Sequence, residues 1–211
     1  SWTALEYSPD PLTGVLNAMG RNPEAALEYL AGEGTVDAEG NWVPSEDNKE
    51  RWANLTTRDW NWNADPIFYA EQHTGADGLT AALGAASAYR NPDPDQPEAR
   101  PGADAAATYV AGQGIAYFAS DSWPKNDFTE TMKENLAVLM ANSPEEIIAT
   151  ALGADWSKYG DGPHLGTWGV NEGDVSTVIY RLGDSKTAMA TLAAGLGDYQ
   201  HEQFNEEMAA T

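Results

Sequence analysis

The chain contains no cysteine. Disulfide frameworks, thiolate metal sites and a cysteine nucleophile are therefore excluded, although this absence does not identify a compartment. Basic residues are scarce as well: 11 Lys and Arg stand against 33 Asp and Glu, a formal charge of −22 over 211 residues. That charge repels phosphate backbones and anionic lipid headgroups, which argues against direct binding to nucleic acid or to a membrane surface. It favours solubility, cation binding, a basic partner or a high-salt habitat, and its plainest expression is a solvated acidic surface. No run approaches the roughly 20 apolar residues of a membrane span. The amino-terminal stretch lacks the basic and apolar regions of a signal peptide, and it opens at Ser1 rather than Met, as a processed form or a piece of a longer chain would. No phosphate loop, dinucleotide fingerprint, nucleophile elbow or kinase signature is present.

What is present suffices for a folded protein. Hydrophobic residues make up 42% of the chain, with eight Trp to fill a core, and a chain of this size buries roughly 70% of its unfolded surface. Helix starts are clearly written. Asp10-Pro11, Asn22-Pro23, Asp65-Pro66 and Ser143-Pro144 each pair a capping side chain with a Pro at the first helical position, where its missing N–H costs nothing. Ser143 and Glu146 also have capping-box spacing. Apolar stripes at helical spacing follow: Leu12, Val15, Leu16 and Met19; Phe128, Met132, Leu136, Leu139 and Met140; Val175, Val178, Ile179 and Leu182; Met189, Leu192, Leu196 and Tyr199. Further helices are expected over 48–58, 66–73, 76–89 and 103–119. No stretch alternates with period two between turn signals. The expectation is an all-α, orthogonal or antiparallel bundle of about eight to ten helices with long Gly/Pro-rich loops.

Three segments interrupt this pattern. Residues 31–47 read as a Gly-rich acidic loop, and residues 153–174 as a long Gly-rich loop carrying Trp156, His164 and Trp168. Residues 91–102 hold four Pro in "NPDPDQPEARPG", stiff and extended. The chain reads as one helical domain over 1–211, with 91–102 the boundary if it divides into 1–90 and 103–211. An echo links "GRNPEAALEYLAGEGT" to "ANSPEEIIATALGADW": with Pro23 set on Pro144, Met19 falls on Met140 and Glu24 on Glu145. A helix, a short corner and a capped helix account for it without a duplicated functional module.

Candidate chemistry is thin. The three His (His73, His164, His201) lack metal-ligand spacing. His164, near Asp161 and Trp168, could form an acid/base pocket, though a His that orders a Gly-rich loop is the simpler account. Glu145 and Glu146 sit in a helix's first turn, favourable to its dipole, and point in different directions, a poor glycosidase pair. Asn91, Asp93 and Asp95 are spaced like the start of a calcium loop, but Gln96 and Gly102 stand where an EF-hand needs Gly and Glu. No metal or cofactor is expected. Trp42, Trp60, Trp62 and Trp168 are the partner-binding candidates, since exposed Trp offers rigid area and a polar N–H; alternatively the Trp plug gaps in an Ala- and Gly-rich core.

In the C-terminal half, "NLAVLMANSPEEIIATAL" followed by "GPHLGTWGVNEGDVSTVIYRLGDSKTAMATLAAGLGDY" resembles an uncharacterised helical domain of long actinobacterial proteins that carry WXG-type helical hairpins near their N-termini. The resemblance covers about residues 128–200 and continues upstream through "DPLTGVLNAMGRNPEAALEYL". It implies a module of a larger, exported or toxin-associated, extracytoplasmic chain, and it carries over no catalytic residue. The leading expectation is a non-enzymatic scaffold or protein-docking module. The alternatives are a cell-envelope hydrolase using Asp or Glu with His164, and an acidic inhibitor or immunity-type protein.

Overall fold

Side-chain caps set several of the helix starts. Asn22 accepts the Ala25 N–H (3.1 Å), Ser45 that of Asn48 (3.3 Å) and Thr129 that of Met132 (3.1 Å), while Asn171 and Asp174 form a reciprocal capping box. Each satisfies a backbone donor that the first helical turn leaves unpaired. These caps open α2 (Pro23–Ala31), α3 (Glu46–Thr57), α6 (Glu130–Ala141) and α8 (Glu172–Leu182). The remaining helices are α1 (Pro11–Met19), α4 (Ala76–Ser87), α5 (Ala103–Ala119), α7 (Pro144–Leu152) and α9 (Lys186–Ala209). The computed structural model describes residues 11–60, 76–90, 101–123, 127–154, 156 and 163–209. Among the described residues there are nine α-helices and one small hairpin, so the fold is all-α. The helix expected over 66–73 and the Asp65-Pro66 start lie outside the described residues.

α4 is the hub. It packs against α1, α2, α5 and α6, and nearly all its residues from Ala76 to Ser87 are buried. A helix surrounded in this way cannot be amphipathic, and its sequence, ADGLTAALGAAS, is mostly small residues with Leu79 and Leu83 as its two large buried side chains. Close approach depends on this. A Cβ at Gly78 would stand 2.8 Å from the Thr13 carbonyl oxygen of α1, and one at Gly114 of α5 would stand 2.8 Å from a Leu83 methyl of α4. Further large residues lie on the partners: Leu16, Leu27, Leu30, Phe118, Met132, Leu136 and Met140 are buried in the same cluster. That cluster joins residues from both sides of 91–102 into one core. Most of the expected stripes face it; Val15 instead lies 47% exposed.

The segment 31–47 is more ordered than a Gly-rich loop. It holds an antiparallel hairpin, β1 (Gly34–Val36) and β2 (Trp42–Pro44), with Val36 opposite Trp42. Asp37 closes the turn, its carboxylate accepting the N–H groups of Glu39 (3.0 Å) and Asn41 (2.8 Å), and Gly40 takes a positive φ of 86°. Three-residue strands are too short to display a period-two pattern, which is why the hairpin was not expected.

The Ser143–Glu146 capping box does not form. Ser143 makes no side-chain cap; its hydroxyl donates to the Leu139 carbonyl (3.3 Å) and accepts from Arg90. Glu146 turns inward, pairs with Arg90 at 2.7 Å and accepts the Leu165 N–H at 3.3 Å. A buried guanidinium offers charge-assisted hydrogen bonds, stronger than a neutral cap, and draws both side chains away from the helix end. The pair ties α7 to the 3-10 turn Ala88–Arg90 after α4 and to the 3-10 turn Leu165–Trp168. Both α2 and α7 are nine residues long and end at a glycine with positive φ, Gly32 (59°) and Gly153 (62°), so the echoed stretches share an end as well as a start.

Replacing one member of the buried ion pair strands the other. Arg90→Ala is expected to cost about 3–5 kcal/mol, read as a lower urea midpoint, whereas Arg90→Met/Glu146→Leu recovers most of that loss.

Candidate functional site

The last four carbonyls of an α-helix have no partner within it. In α2 every one is satisfied, and three of the four by side chains from elsewhere. The Glu28 carbonyl accepts the Gly32 N–H (3.0 Å). Arg51 donates to the Tyr29 carbonyl (2.5 Å), Asn48 and the Trp52 indole both donate to that of Leu30 (2.9 Å each), and the Trp42 indole donates to that of Ala31 (3.2 Å). Asn48, Arg51 and Trp52 lie at i, i+3 and i+4 of α3, one helical face. Trp42 arrives from β2. The Arg51 cation also suits the negative end of the α2 dipole, and its guanidinium lies 4.9 Å from the Tyr29 ring centre.

Tyr109 extends this network into α5. Its hydroxyl donates to the Asn48 side-chain oxygen at 2.8 Å, and its ring meets Trp52 (6.4 Å) and Trp168 (4.8 Å) edge-on. Burial pushes the Tyr109 hydroxyl up to about 12, because a phenolate there would lose its water. The same device ends α5: Arg181 of α8 donates to the Phe118 and Ser120 carbonyls and sits over the Phe128 ring at 5.5 Å. Burial lowers the Arg181 pKa, with nearby Asp121 opposing the shift.

Of the four tryptophans considered as partner-binding candidates, Trp42 and Trp60 take the alternative place, in the core. Trp42 and Trp60 are only 6% and 4% exposed. The first has its N–H on Ala31, and the second donates to the Leu55 carbonyl at 3.2 Å beneath the Arg58 guanidinium. Both belong to the core because each indole covers a helix end and satisfies a backbone carbonyl there. Trp168 is half-buried against Gly112, where a Cβ would come within 2.8 Å of its own Cβ. The indole N–H groups of Trp156 and Trp168 are buried with no acceptor. Trp62 lies outside the described residues.

His164 occupies the capping position before the Leu165–Trp168 turn, half-buried, and its side chain does not cap that turn. Asp161 is outside the described residues. Among the described residues no group of three or more His, Asp or Glu is placed to hold a metal ion, and no helix is long and apolar enough to cross a membrane.

The open surface over the α2–α3 junction is concave. One hollow of about 310 Å³ lies between α1 and α3, and a second of about 760 Å³ lies between α2 and the hairpin. Both are lined by Tyr29 and Arg51. Asn48, Arg51 and Tyr109, which organise this region, do not stand out in the sequence. The available signal was polar residues one helical turn apart on the apolar face of α3.

Trp52→Phe removes one of the two donors to Leu30, Asn48 keeping the other, and leaves a gap where the larger indole packed, so it is expected to cost about 1–3 kcal/mol in a chemical melt. Tyr109 holds its proton more tightly folded than unfolded. Its contribution is therefore complete below pH about 10 and declines as pH rises toward about 12. Urea midpoints measured across that window are expected to fall less steeply for Tyr109→Phe than for the wild type.

The sequence matches, over residues 3–211, a family described as a family of unknown function (DUF6571), and the chain belongs to that family. No curated protein and no solved structure matches the chain.

Proposed function

We propose that this chain is a non-enzymatic helical docking or scaffold module of a larger, exported actinobacterial protein. One observation carries the reading: among the described residues, the principal polar side chains buried between helices hold helix ends and helix pairs together. Asn48, Arg51, Trp42 and Trp52 hold α2, Arg181 holds α5, and Arg90 with Glu146 holds α7. The hydroxyl most strongly shifted by burial, Tyr109, donates to Asn48 within that scaffold rather than standing at the mouth of a cleft. Perturbed groups of this kind support the fold, whereas perturbed groups converging in a cleft support catalysis. The export context rests on the resemblance in the C-terminal half. The acidic composition favours a basic partner over nucleic acid or an anionic membrane.

The test has two arms. The purified chain is immobilised and challenged with an actinobacterial envelope fraction, and bound proteins are identified by mass spectrometry before and after a salt wash. Separately it is incubated with peptidoglycan and envelope glycans. The docking reading expects a stoichiometric protein partner released by salt and no turnover. Turnover abolished by His164→Ala would replace it with the hydrolase reading.

A further inference from the structure

Resting on the docking reading, we infer that the groove formed by α2, α3 and the hairpin is the docking seat, and that its occupant is a cationic amphipathic segment of a partner protein, Lys- or Arg-bearing on one side and aliphatic on the other. The two hollows over the α2–α3 junction share Tyr29 and Arg51 as walls, so they adjoin, one on each side of this stacked pair. The groove's apolar surface comes from the half-buried Leu12, Met19 and Tyr29, alongside the buried Leu55 and Trp42. Its rim is acidic. Asp47 and Glu50 line the first hollow, Glu28 and Glu33 the second, and all four are exposed.

The two arginines that line the groove, Arg51 and Arg58, are half-buried and engaged within the chain. Arg51 donates to the Tyr29 carbonyl and covers the Tyr29 ring, and Arg58 lies over the Trp60 ring. The fully exposed charges of the groove are therefore carboxylates, set beside the half-buried Leu12, Met19 and Tyr29. An aliphatic side chain entering the groove removes apolar surface from water, while Lys or Arg heads at its edges meet the rim charges. The same charge argument rejects the other occupants. A second copy of a chain carrying −22 brings like charge to like, and phosphate backbones and anionic lipid headgroups are repelled. A bare divalent ion lacks a site, because no group of three or more acidic or His side chains among the described residues could hold one.

The wall itself is rigid, which lowers the cost of binding. Arg51 and its neighbours Asn48 and Trp52 are each hydrogen-bonded to α2, and Trp42 is held on Ala31. A partner segment would meet a surface already in place.

The probe is a fluorescein-labelled peptide of about 18 residues, roughly five helical turns, made of Lys and Leu in an amphipathic helical pattern. Its anisotropy is titrated with three forms of the full chain: wild type, Glu28→Gln/Glu33→Gln/Glu50→Gln in the groove, and Glu172→Gln/Asp198→Asn/Glu202→Gln on α8 and α9. Both variants remove the same number of charges from exposed positions, so they separate location from total charge. The expected result is that the groove variant loses about tenfold or more in affinity and the α8–α9 variant changes by less than about twofold. A Lys/Ser peptide of equal charge should bind far more weakly than Lys/Leu. Carbodiimide coupling of the bound Lys/Leu peptide should map to Glu28, Glu33, Asp47 or Glu50. Equal losses in the two variants would show attraction to net charge alone and overturn the inference, as would cross-links scattered over the surface or a wild type that does not bind. An envelope partner captured equally by wild type and groove variant would leave the docking reading standing and remove this groove as its seat.

Discussion

The C-terminus of α2 is the point on which the first half of the molecule depends. Three carbonyls there would face the interior without partners, at a cost of about 1–3 kcal/mol each, and α3 and β2 supply the donors. That requirement orients α3, because Asn48, Arg51 and Trp52 reach α2 only if one face of the helix is turned to it. It orients the hairpin, because Trp42 must arrive beside Ala31. Through Asn48 it reaches Tyr109 on α5, and through the Tyr109 ring it meets Trp168. α4 supplies the complementary constraint, since a helix buried on nearly all sides needs a small residue on one side of each close approach, Gly78 against α1 and Gly114 of α5 against Leu83.

Local features were legible in the sequence and long-range ones were not. Asn22-Pro23 caps α2 as its residue types imply, and the stripes through Met132 to Met140 and Val175 to Leu182 bury as their spacing implies. Ser143 and Glu146 carried an equally good local signal, yet an Arg 56 residues from Glu146 takes both. Nothing in the spacing of Trp42, Asn48, Arg51 and Trp52 shows that they converge on the end of another helix. A backbone carbonyl carries no residue-type signal, so the tryptophans read equally well as a platform or as core. The hairpin left only Asp37 and Gly40 as its trace, in strands too short to alternate.

Burial of the tryptophans changes where a partner is to be sought. With Trp42, Trp52 and Trp60 inside, the region keeps its aromatic mass as a stiff support beneath a groove, and the surface chemistry passes to Tyr29 and the carboxylates of α2 and α3. Beneath that surface the side chains holding the end of α2 are each hydrogen-bonded, so the docking proposal needs no rearrangement of this wall on association.

The most direct measurement is hydrogen exchange of the indole N–H protons of Trp42 and Trp52, followed by NMR in the intact chain. If these groups hold the end of α2, both should exchange only through global unfolding, with protection matching the overall stability. Exchange as fast as that of an exposed indole, in a chain that otherwise stays folded, would show that α2 ends without them and would contradict the account.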